Sequence, residues 1–400
     1  MAVDDGFDIE SRLEFFEKHG MRRRLRPVDK IDKHRKIASD PGTTDPDFDD
    51  EEFLVFASNN YLGLARDERV QDAAVEAIRE VGTGAGSARL LTGDTSVHHD
   101  LERTIAEKKG TERSVVFSSG YATNIGTIPA LHPDVIFTDE LNHMCIEEGC
   151  ELSNSEVVTY DHLDMDDLET ALADRGESGD NSWLIVTDSV FSMDGDIAPL
   201  ETICDLADEY GAWVMADEAH ATGLYENGGG IVQEKGLTDR VEIQMGTLSK
   251  ALASQGGYVA GSEPLIEYIA NAARSFVFSA GLAPPLAGAA REALRIAAET
   301  DRRQQLWENT AHLREGLIDC GFEINSETQI LPVIVGDRDD TEALADAVQS
   351  RGIFAPSVVP PVVPQGTSRI RVAPMATHTT SEIDRCIDVF REEGRRLGII

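Results

Sequence analysis

Three charged side chains of this sequence each follow a short apolar run. Asp188 and Asp217 end two such runs, and a third run leads into Thr247-x-x-Lys250. Lys250 is the last of only eight lysines and stands among small and apolar residues. An amine near carboxylates predicts covalent chemistry on a carbonyl group. An ordinary surface lysine is the open alternative.

Pyridoxal phosphate catalysis requires this combination of groups. Its aldehyde needs a lysine of lowered pKa, and its ring nitrogen needs a carboxylate that keeps it protonated. Lys250 and Asp217 are the candidates. Its phosphate needs backbone N–H groups and hydroxyls at a helix start, and residues 118–124 form a small-residue turn that opens a helix. A capped structural carboxylate and an ordinary turn remain the alternatives for these two features.

Three other motif interpretations fail on the residues. Asp-Glu-Ala-His also occurs in helicase motors, but these need a Gly-Lys phosphate loop, and the chain has no Gly-Lys dipeptide. The segment 82–87 resembles a dinucleotide loop but has Ser87 in place of the last glycine. His98, His99 and His143 lack partners at metal-ligand spacing, so no metal site is predicted.

Strand-like runs alternate with helical patterns between about residues 52 and 300. Nearly continuous apolar runs spaced by helices predict an α/β fold with a mostly parallel sheet covered on both faces. Ligands of such sheets bind at the carboxyl ends of the strands. The predicted strands are 114–117, 135–137, 157–159, 183–187, 213–216, 243–245 and 258–260, and the predicted helices include 70–81, 168–174 and 200–210.

The pattern divides the chain into three parts. Residues 1–50 predict an N-terminal helix or arm with an arginine cluster at 22–26 and a turn-rich connection at 40–50. Residues 51–300 form the large α/β domain, which ends in a helical stretch near 286–307. Residues 301–400 predict a smaller α+β domain, with a strand at 330–335, a helix at 342–351, a proline-rich loop at 354–365, a strand at 369–372 and a helix at 381–397.

The 400 residues are strongly acidic. Lys and Arg number 36 against 73 Asp and Glu, which gives a net charge of −37. Such a surface repels nucleic acids and anionic membranes. Adaptation to high salt is one explanation, because salt screens the self-repulsion. The 28 arginines against eight lysines favour a halophilic protein, and a merely acidic protein stays the alternative.

Five cysteines without a C-x-x-C pair predict free, mostly buried thiols rather than disulfides or zinc ligands. No apolar run approaches the roughly 18 residues of a membrane span, and the first ten residues are acidic rather than signal-like. A cytoplasmic location is therefore expected.

The sequence resembles the α-oxoamine synthases, fold-type I pyridoxal-phosphate enzymes that condense an amino acid with an acyl-CoA. The resemblance covers roughly residues 22–398. The combination is specific, because Phe-Ser-Met-Asp-Gly precedes Asp-Glu-Ala-His and Gly-Thr-Leu-Ser-Lys follows it. The matching segments are 59–64, 87–90 with His98 and 101–102, 119–121, 141–143, 190–195, 217–220, 246–250 and 369–371.

The resemblance implies a role for each matching residue. The expected catalytic residues are Lys250 as the Schiff-base lysine and proton shuttle, Asp217 as partner of the ring nitrogen, His143 stacked on the ring and helping to polarise the acyl carbonyl, and His220 near the ring's phenolic oxygen. The other expected cofactor contacts are Gly120, Tyr121, Ser192 and Thr247, with Ser279 reaching the phosphate from the partner subunit of a homodimer.

Substrate recognition is assigned to three further residues. Asn59 and Arg371 match the residues that hold the amino acid's carboxylate. Arg22, in the cluster 22–26, matches a position that meets a distal carboxylate of the acyl chain. This favours members that use alanine with pimeloyl-CoA, or with a pimeloyl carrier protein. Asp188 instead matches members that use glycine with acetyl-CoA, so that reaction stays open. A solvated basic helix face is a further alternative for the cluster. An aminotransferase is the remoter alternative.

Overall fold

The central sheet places the predicted strand ends side by side. The computed structural model describes residues 7–38, 42, 45–48 and 51–400, so part of the predicted connection at 40–50 lies outside the described residues. Among the described residues, seven strands form this sheet in the order β3-β9-β8-β7-β6-β4-β5. Its neighbours are parallel except at β9, which is antiparallel to both β3 and β8. The predicted mostly parallel sheet is confirmed.

The elements of the described residues have the following bounds. The strands are β1 His34–Arg35, β2 Phe53–Val55, β3 Arg113–Phe117, β4 Val135–Asp139, β5 Glu156–Tyr160, β6 Trp183–Asp188, β7 Trp213–Asp217, β8 Ile243–Thr247, β9 Gly257–Gly261, β10 Leu331–Gly336, β11 Ile353–Phe354, β12 Ser357–Val358 and β13 Ser368–Val372. The helices are α1 Ile9–Lys18, α2 Glu68–Val81, α3 Ser96–Lys109, α4 Gly120–Leu131, α5 Met144–Ser153, α6 Met165–Ala173, α7 Leu200–Tyr210, α8 Ile231–Glu234, α9 Glu263–Ala272, α10 Arg274–Val277, α11 Pro284–Glu299, α12 Arg302–Cys320, α13 Arg338–Ser350 and α14 Thr380–Leu397.

Apolar cores cover both faces of the central sheet. Strand β6 is buried along its whole length, as a strand covered on both sides must be. One face packs with helices α2, α3, α7 and α11, and the other with α4, α5 and α9. Four of the five cysteines are buried and all five are free, as predicted.

The prediction of one helical stretch near 286–307 is wrong. Helix α11 ends at Glu299, Thr300 is extended, and α12 begins at Arg302. The Thr300 hydroxyl explains the break, because it donates to the Ile296 carbonyl at 2.7 Å and accepts the Arg302 N–H at 3.4 Å. The Thr300 hydroxyl thus bonds one backbone group at the end of α11 and another at the start of α12.

A second core joins the C-terminal elements to an early strand. Strands β10, β13 and β12 form an antiparallel sheet, so the predicted loop 354–365 begins within one short strand and contains another. Strand β2 pairs in parallel with β11, and Leu54 and Phe56 are buried with residues of α12, α13 and α14. The division of the chain into an N-terminal arm (1–50), a large domain (51–300) and a small domain (301–400) stays a proposal.

A buried ion pair lies beneath the carboxyl end of β7. Lys109, the last residue of α3, donates from Nζ to Glu218, and both side chains are almost wholly buried. The other carboxylate oxygen of Glu218 accepts the Val232 N–H at 2.9 Å. Because Glu218 stands directly after Asp217, the pair fixes the backbone where β7 ends.

No helix among the described residues is long and apolar enough to cross a membrane.

Candidate active site

Three neighbouring strands bring the predicted reactive residues together. Asp188 and Asp217 are paired residues at the ends of β6 and β7, and Thr247 ends β8 beside them. Their carboxyl ends border a cavity of about 210 Å³. Seven residues predicted from the sequence line it: Gly120, Tyr121, His143, Asp217, His220, Thr247 and Lys250.

Asp217 is buried, and hydrogen-bond donors face both of its oxygens. The Ala219 N–H donates to Oδ1 at 2.8 Å, and the Asn124 side-chain amide donates to Oδ2 at 2.8 Å. Hydrogen bonds to a carboxylate favour its charged form. A charged, fixed carboxylate is what a protonated ring nitrogen requires.

Asp188 differs from Asp217 although it lies beside it. Its Oδ2 accepts the His143 backbone N–H at 2.8 Å. Burial and the neighbouring Asp217 raise the pKa of Asp188 well above its usual range. Adjacent carboxylates cannot both ionise freely, so Asp188 is the one that keeps a proton more readily.

Lys250 lies in the cavity wall beside these carboxylates. Burial lowers the pKa of the Lys250 amine, while Asp217 and Asp188 oppose that shift. A lowered pKa provides the neutral amine that attacks an aldehyde or removes a proton.

Two histidines complete the reactive lining. Burial and the Lys250 charge lower the pKa of His143, against the opposing effect of Asp217. Burial first, and then Lys250 and Arg371, lower the pKa of His220 well below its usual value. Both rings are therefore neutral near pH 7. The Tyr61 hydroxyl lies 2.8 Å from His220 Nδ1.

The start of helix α4 forms an anion cradle next to Thr247. Ser119 caps this helix by accepting the Ala122 N–H at 3.0 Å. A side chain at Gly120 would place its Cβ 3.3 Å from the Thr247 Oγ1 and Cβ, so glycine permits this close approach. Free N–H groups at a helix start, together with hydroxyls, suit a phosphate.

Arg371 on β13 connects the C-terminal sheet to the cavity. Its Nε donates to the Ser192 carbonyl at 2.5 Å, and both Nη atoms lie 3.3 Å from Asn59 Oδ1. Its Nη2 also donates to Tyr61 at 3.1 Å, and Tyr61 continues to His220. Asn59 and Arg371 therefore stand together, as the sequence predicts.

Besides Asn59 and Arg371, which contact the Tyr61 hydroxyl rather than line the cavity, three further predicted residues lie outside the cavity lining. The Ser192 contact with Arg371 uses its backbone carbonyl. Ser279 donates to the Ala280 carbonyl at 3.1 Å. Arg22 is exposed and bonds Glu17 at 3.1 Å. The roles of these three side chains stay predictions.

Two residues at the site have contacts that the sequence analysis did not assign. Asn124 bridges the Asp217 carboxylate and the sulfur of Cys145, which it meets at 3.1 Å. Asn124 lies one helical turn after Gly120, and a polar residue on that turn was the available signal. Cys145 lines the cavity two residues after His143 and had no such signal.

A histidine clamp holds the loop that carries Ser192. His162 lies between Asp139 at 2.9 Å and Asp196 at 3.2 Å. Hydrogen bonds and charge from both carboxylates outweigh burial and raise the pKa of His162 to about 9. The clamp thus joins the end of β4 to the loop after β6.

We expect the free energy of unfolding to fall as pH rises from about 7 to above 9. The folded-state pKa of His162 is raised, so its contribution is complete below about 6.5 and lost through about 9. Urea titrations should show a weaker pH dependence in His162→Gln than in the wild type. His312→Gln, which alters an exposed His–Asp pair, is the control. If the free energy of unfolding depended on pH identically in the wild type and both variants, the stabilising role of the His162 clamp would be contradicted.

Comparison with known proteins identifies the family. The model of the class I and II aminotransferase family matches residues 51–390. Proteins named 8-amino-7-oxononanoate synthase include one from Lysinibacillus sphaericus, 42% identical over 100% of both chains. A putative one from Gloeobacter violaceus is 47% identical over 94% of this chain and 97% of its own. The serine palmitoyltransferase structure from Sphingomonas wittichii is 29% identical over 100% of both chains, with a TM-score of 0.89. The chain belongs to the α-oxoamine synthases of this family.

This α-oxoamine synthase is a pyridoxal-phosphate-dependent acyltransferase with the predicted fold-type I architecture. The site residues fit that cofactor. Lys250 and the hydrogen-bonded Asp217 carboxyl group suit the aldehyde and the ring nitrogen, and the α4 start with Thr247 suits the phosphate. The donor set thus matches three separate parts of one molecule.

Proposed function

We propose that this α-oxoamine synthase condenses L-alanine with a pimeloyl thioester, as CoA or carrier protein, to form 8-amino-7-oxononanoate for biotin biosynthesis. Carbon dioxide and the free thiol are the other products. The observation that carries the proposal is the pair of Asn59 and Arg371, whose arginine is near enough for its charge to act on Lys250, in a chain whose full-length relatives bear that name.

Each chain residue has a task in this reaction. Bound pyridoxal phosphate supplies the aldehyde that captures the amino acid and the ring that accepts electrons from its α-carbon. Arg371 and Asn59 orient the carboxylate that is lost. Lys250 removes the α-proton as a neutral amine and later returns a proton to the new product. Asp217, held by two hydrogen bonds, would face the ring nitrogen, and His143 lines the same cavity.

The arginine cluster supports the choice of a dicarboxylic acyl chain. Arg22, Arg23, Arg24 and Arg26 are exposed in a chain of net charge −37. Such a patch attracts a distal carboxylate, CoA phosphates or an acidic carrier protein. We assign Arg22 to acyl-chain recognition on this basis.

We also propose a cytoplasmic homodimer with its active site at the subunit interface. Phe278 is 81% exposed and Leu91 77% exposed, and Met144 and Tyr121 are exposed beside cavity residues. Large exposed apolar groups mark interaction sites. A second subunit would cover them and bring Ser279 towards the partner's phosphate. Light scattering that gives the mass of one chain would contradict this assembly.

A thiol-release assay separates the candidate reactions. Purified enzyme should release CoA with alanine plus pimeloyl-CoA, and much less with glycine plus acetyl-CoA. The assay belongs in molar potassium chloride, because we propose that salt screens the acidic surface. Preference for glycine and acetyl-CoA would replace the proposal with glycine C-acetyltransferase. Amino exchange with an oxo acid and no CoA release would indicate an aminotransferase.

Arg371→Leu should raise the KM for alanine by about 10- to 100-fold, because a charge-assisted hydrogen bond to the carboxylate is lost. The KM for the thioester should change little. Initial rates at varied alanine measure the effect. Arg391→Leu, which removes a partly exposed arginine of α14 that pairs with Asp388, is the control. An unchanged KM for alanine in Arg371→Leu would contradict the assignment.

A further inference from the structure

His143 occupies a position that fixes where its ring proton lies. It is the residue before helix α5, and its Nδ1 accepts the Cys145 backbone N–H at 3.2 Å. A backbone N–H can only donate, so Nδ1 presents a lone pair towards it. In a neutral imidazole the proton is then on Nε2.

The sulfur of Cys145 reinforces that arrangement. Its Sγ lies 2.8 Å from His143 Nδ1 and 3.1 Å from Asn124 Nδ2. The sulfur accepts from the Asn124 amide. Because Nδ1 is an acceptor, the hydrogen bond between Sγ and Nδ1 requires the thiol to donate its S–H. Burial, and then the charge of Asp217, raise the pKa of the Cys145 thiol to about 12, so the thiol keeps this proton at neutral pH.

The surrounding charges also act on the ring. A protonated Nδ1 would face two donors, the Cys145 backbone N–H and its thiol. The Lys250 amine and the positive end of helix α5 further disfavour an imidazolium, while Asp217 favours it. Among the described residues, the titratable groups that share the cavity with His143 are Lys250, Asp217, Asp188, His220, Tyr121 and Cys145.

We propose that Cys145 is a positioning residue that holds His143 neutral and protonated at Nε2, the form in which His143 could donate a hydrogen bond to the acyl carbonyl, as the family resemblance implies for this histidine. The second half rests on the proposed function, whereas the tautomer does not. A neutral ring with a fixed N–H stabilises negative charge that develops on a carbonyl oxygen, and it needs no protonation step first. The thiol and the backbone N–H of Cys145 together determine which nitrogen carries the proton.

Imidazole nitrogen spectra test the tautomer without turnover. In protein carrying ¹⁵N-histidine, the His143 signals are identified by their loss in His143→Gln. From about pH 6 to pH 9, we expect an unprotonated shift at Nδ1 and a protonated shift at Nε2 in the wild type. Cys145→Ser keeps a hydroxyl donor and should retain this form. Cys145→Ala should raise the pH at which the ring becomes cationic.

Kinetics then test the positioning role. Near neutral pH, Cys145→Ala should lower kcat about tenfold, the effect of one lost hydrogen bond. The acid limb of its kcat–pH profile should shift to higher pH. Cys145→Ser should restore both values. Cys150→Ala is the matched control, because Cys150 is a buried thiol of the same helix outside the cavity lining.

Two spectral outcomes would overturn the proposal. One is a protonated Nδ1 in the wild type at neutral pH. The other is a His143 ring whose titration midpoint lies at the same pH in Cys145→Ala as in the wild type. Failure to turn over alanine and pimeloyl-CoA, with the expected spectra, would reject the proposed function and support the assignment of Cys145.

Discussion

Replacing Lys250 by alanine is expected to abolish turnover, with a loss of at least about 10³-fold. The amine of Lys250 has two tasks, attachment of the cofactor aldehyde and transfer of the α-proton, and no other lysine lines the cavity. Initial rates of CoA release measure the first effect. Borohydride reduction followed by peptide mass spectrometry should place the cofactor mass on Lys250 in the wild type only.

Lys235→Ala is the control for this experiment. Lys235 is an exposed lysine that does not line the cavity, so its loss should leave both the rate and the labelled peptide unchanged. Full turnover in Lys250→Ala, or a cofactor adduct on another lysine of the wild type, would remove the assignment of Lys250 and with it the proposed reaction.

Replacing Lys109 by methionine should cost about 3–5 kcal/mol of the free energy of unfolding. The substitution leaves the carboxylate of Glu218 buried without its cation. The double variant Lys109→Met/Glu218→Gln should recover most of the loss, because it removes both charges together. Urea titrations in molar potassium chloride compare the three proteins.

The neighbouring lysine provides a matched control. Lys108 pairs with the exposed Glu107 at 3.9 Å, and such surface pairs contribute about 0–1 kcal/mol. Lys108→Met should therefore change little. If Lys108→Met and Lys109→Met lost the same free energy of unfolding, the buried Lys109–Glu218 pair would stabilise the fold no more than the surface pair does.

The central sheet could be predicted because burial on two faces leaves a simple pattern. Strand β6 has an apolar side chain at nearly every position, and Asp188 marks its end. The same rule located Asp217 and Thr247, so the strand-end residues of the site were predictable from the chain alone. The helix break at Thr300 was not, because it depends on one hydroxyl serving two helix ends.

The remaining parts of the site depend on distant contacts. Asn124 reaches Asp217 across 93 residues of sequence, and no local pattern encodes that bond. Tyr61 likewise joins Arg371 to His220 only in the folded chain. Arg22 and Ser279 belong to a different case. Their proposed roles need an acyl chain or a second subunit, and a single chain does not provide either.

The pairing of β2 with β11 has a consequence for folding during synthesis on the ribosome. Val55 meets Phe354 across about 300 residues of sequence. At a synthesis rate of ~5–20 residues per second, Leu54 and Phe56 await their neighbours for about 15 to 60 s. During that interval the apolar side chains of this early strand are exposed to other molecules in the cell. Nascent chains halted near residue 300 should therefore be captured by chaperones more readily than completed ones.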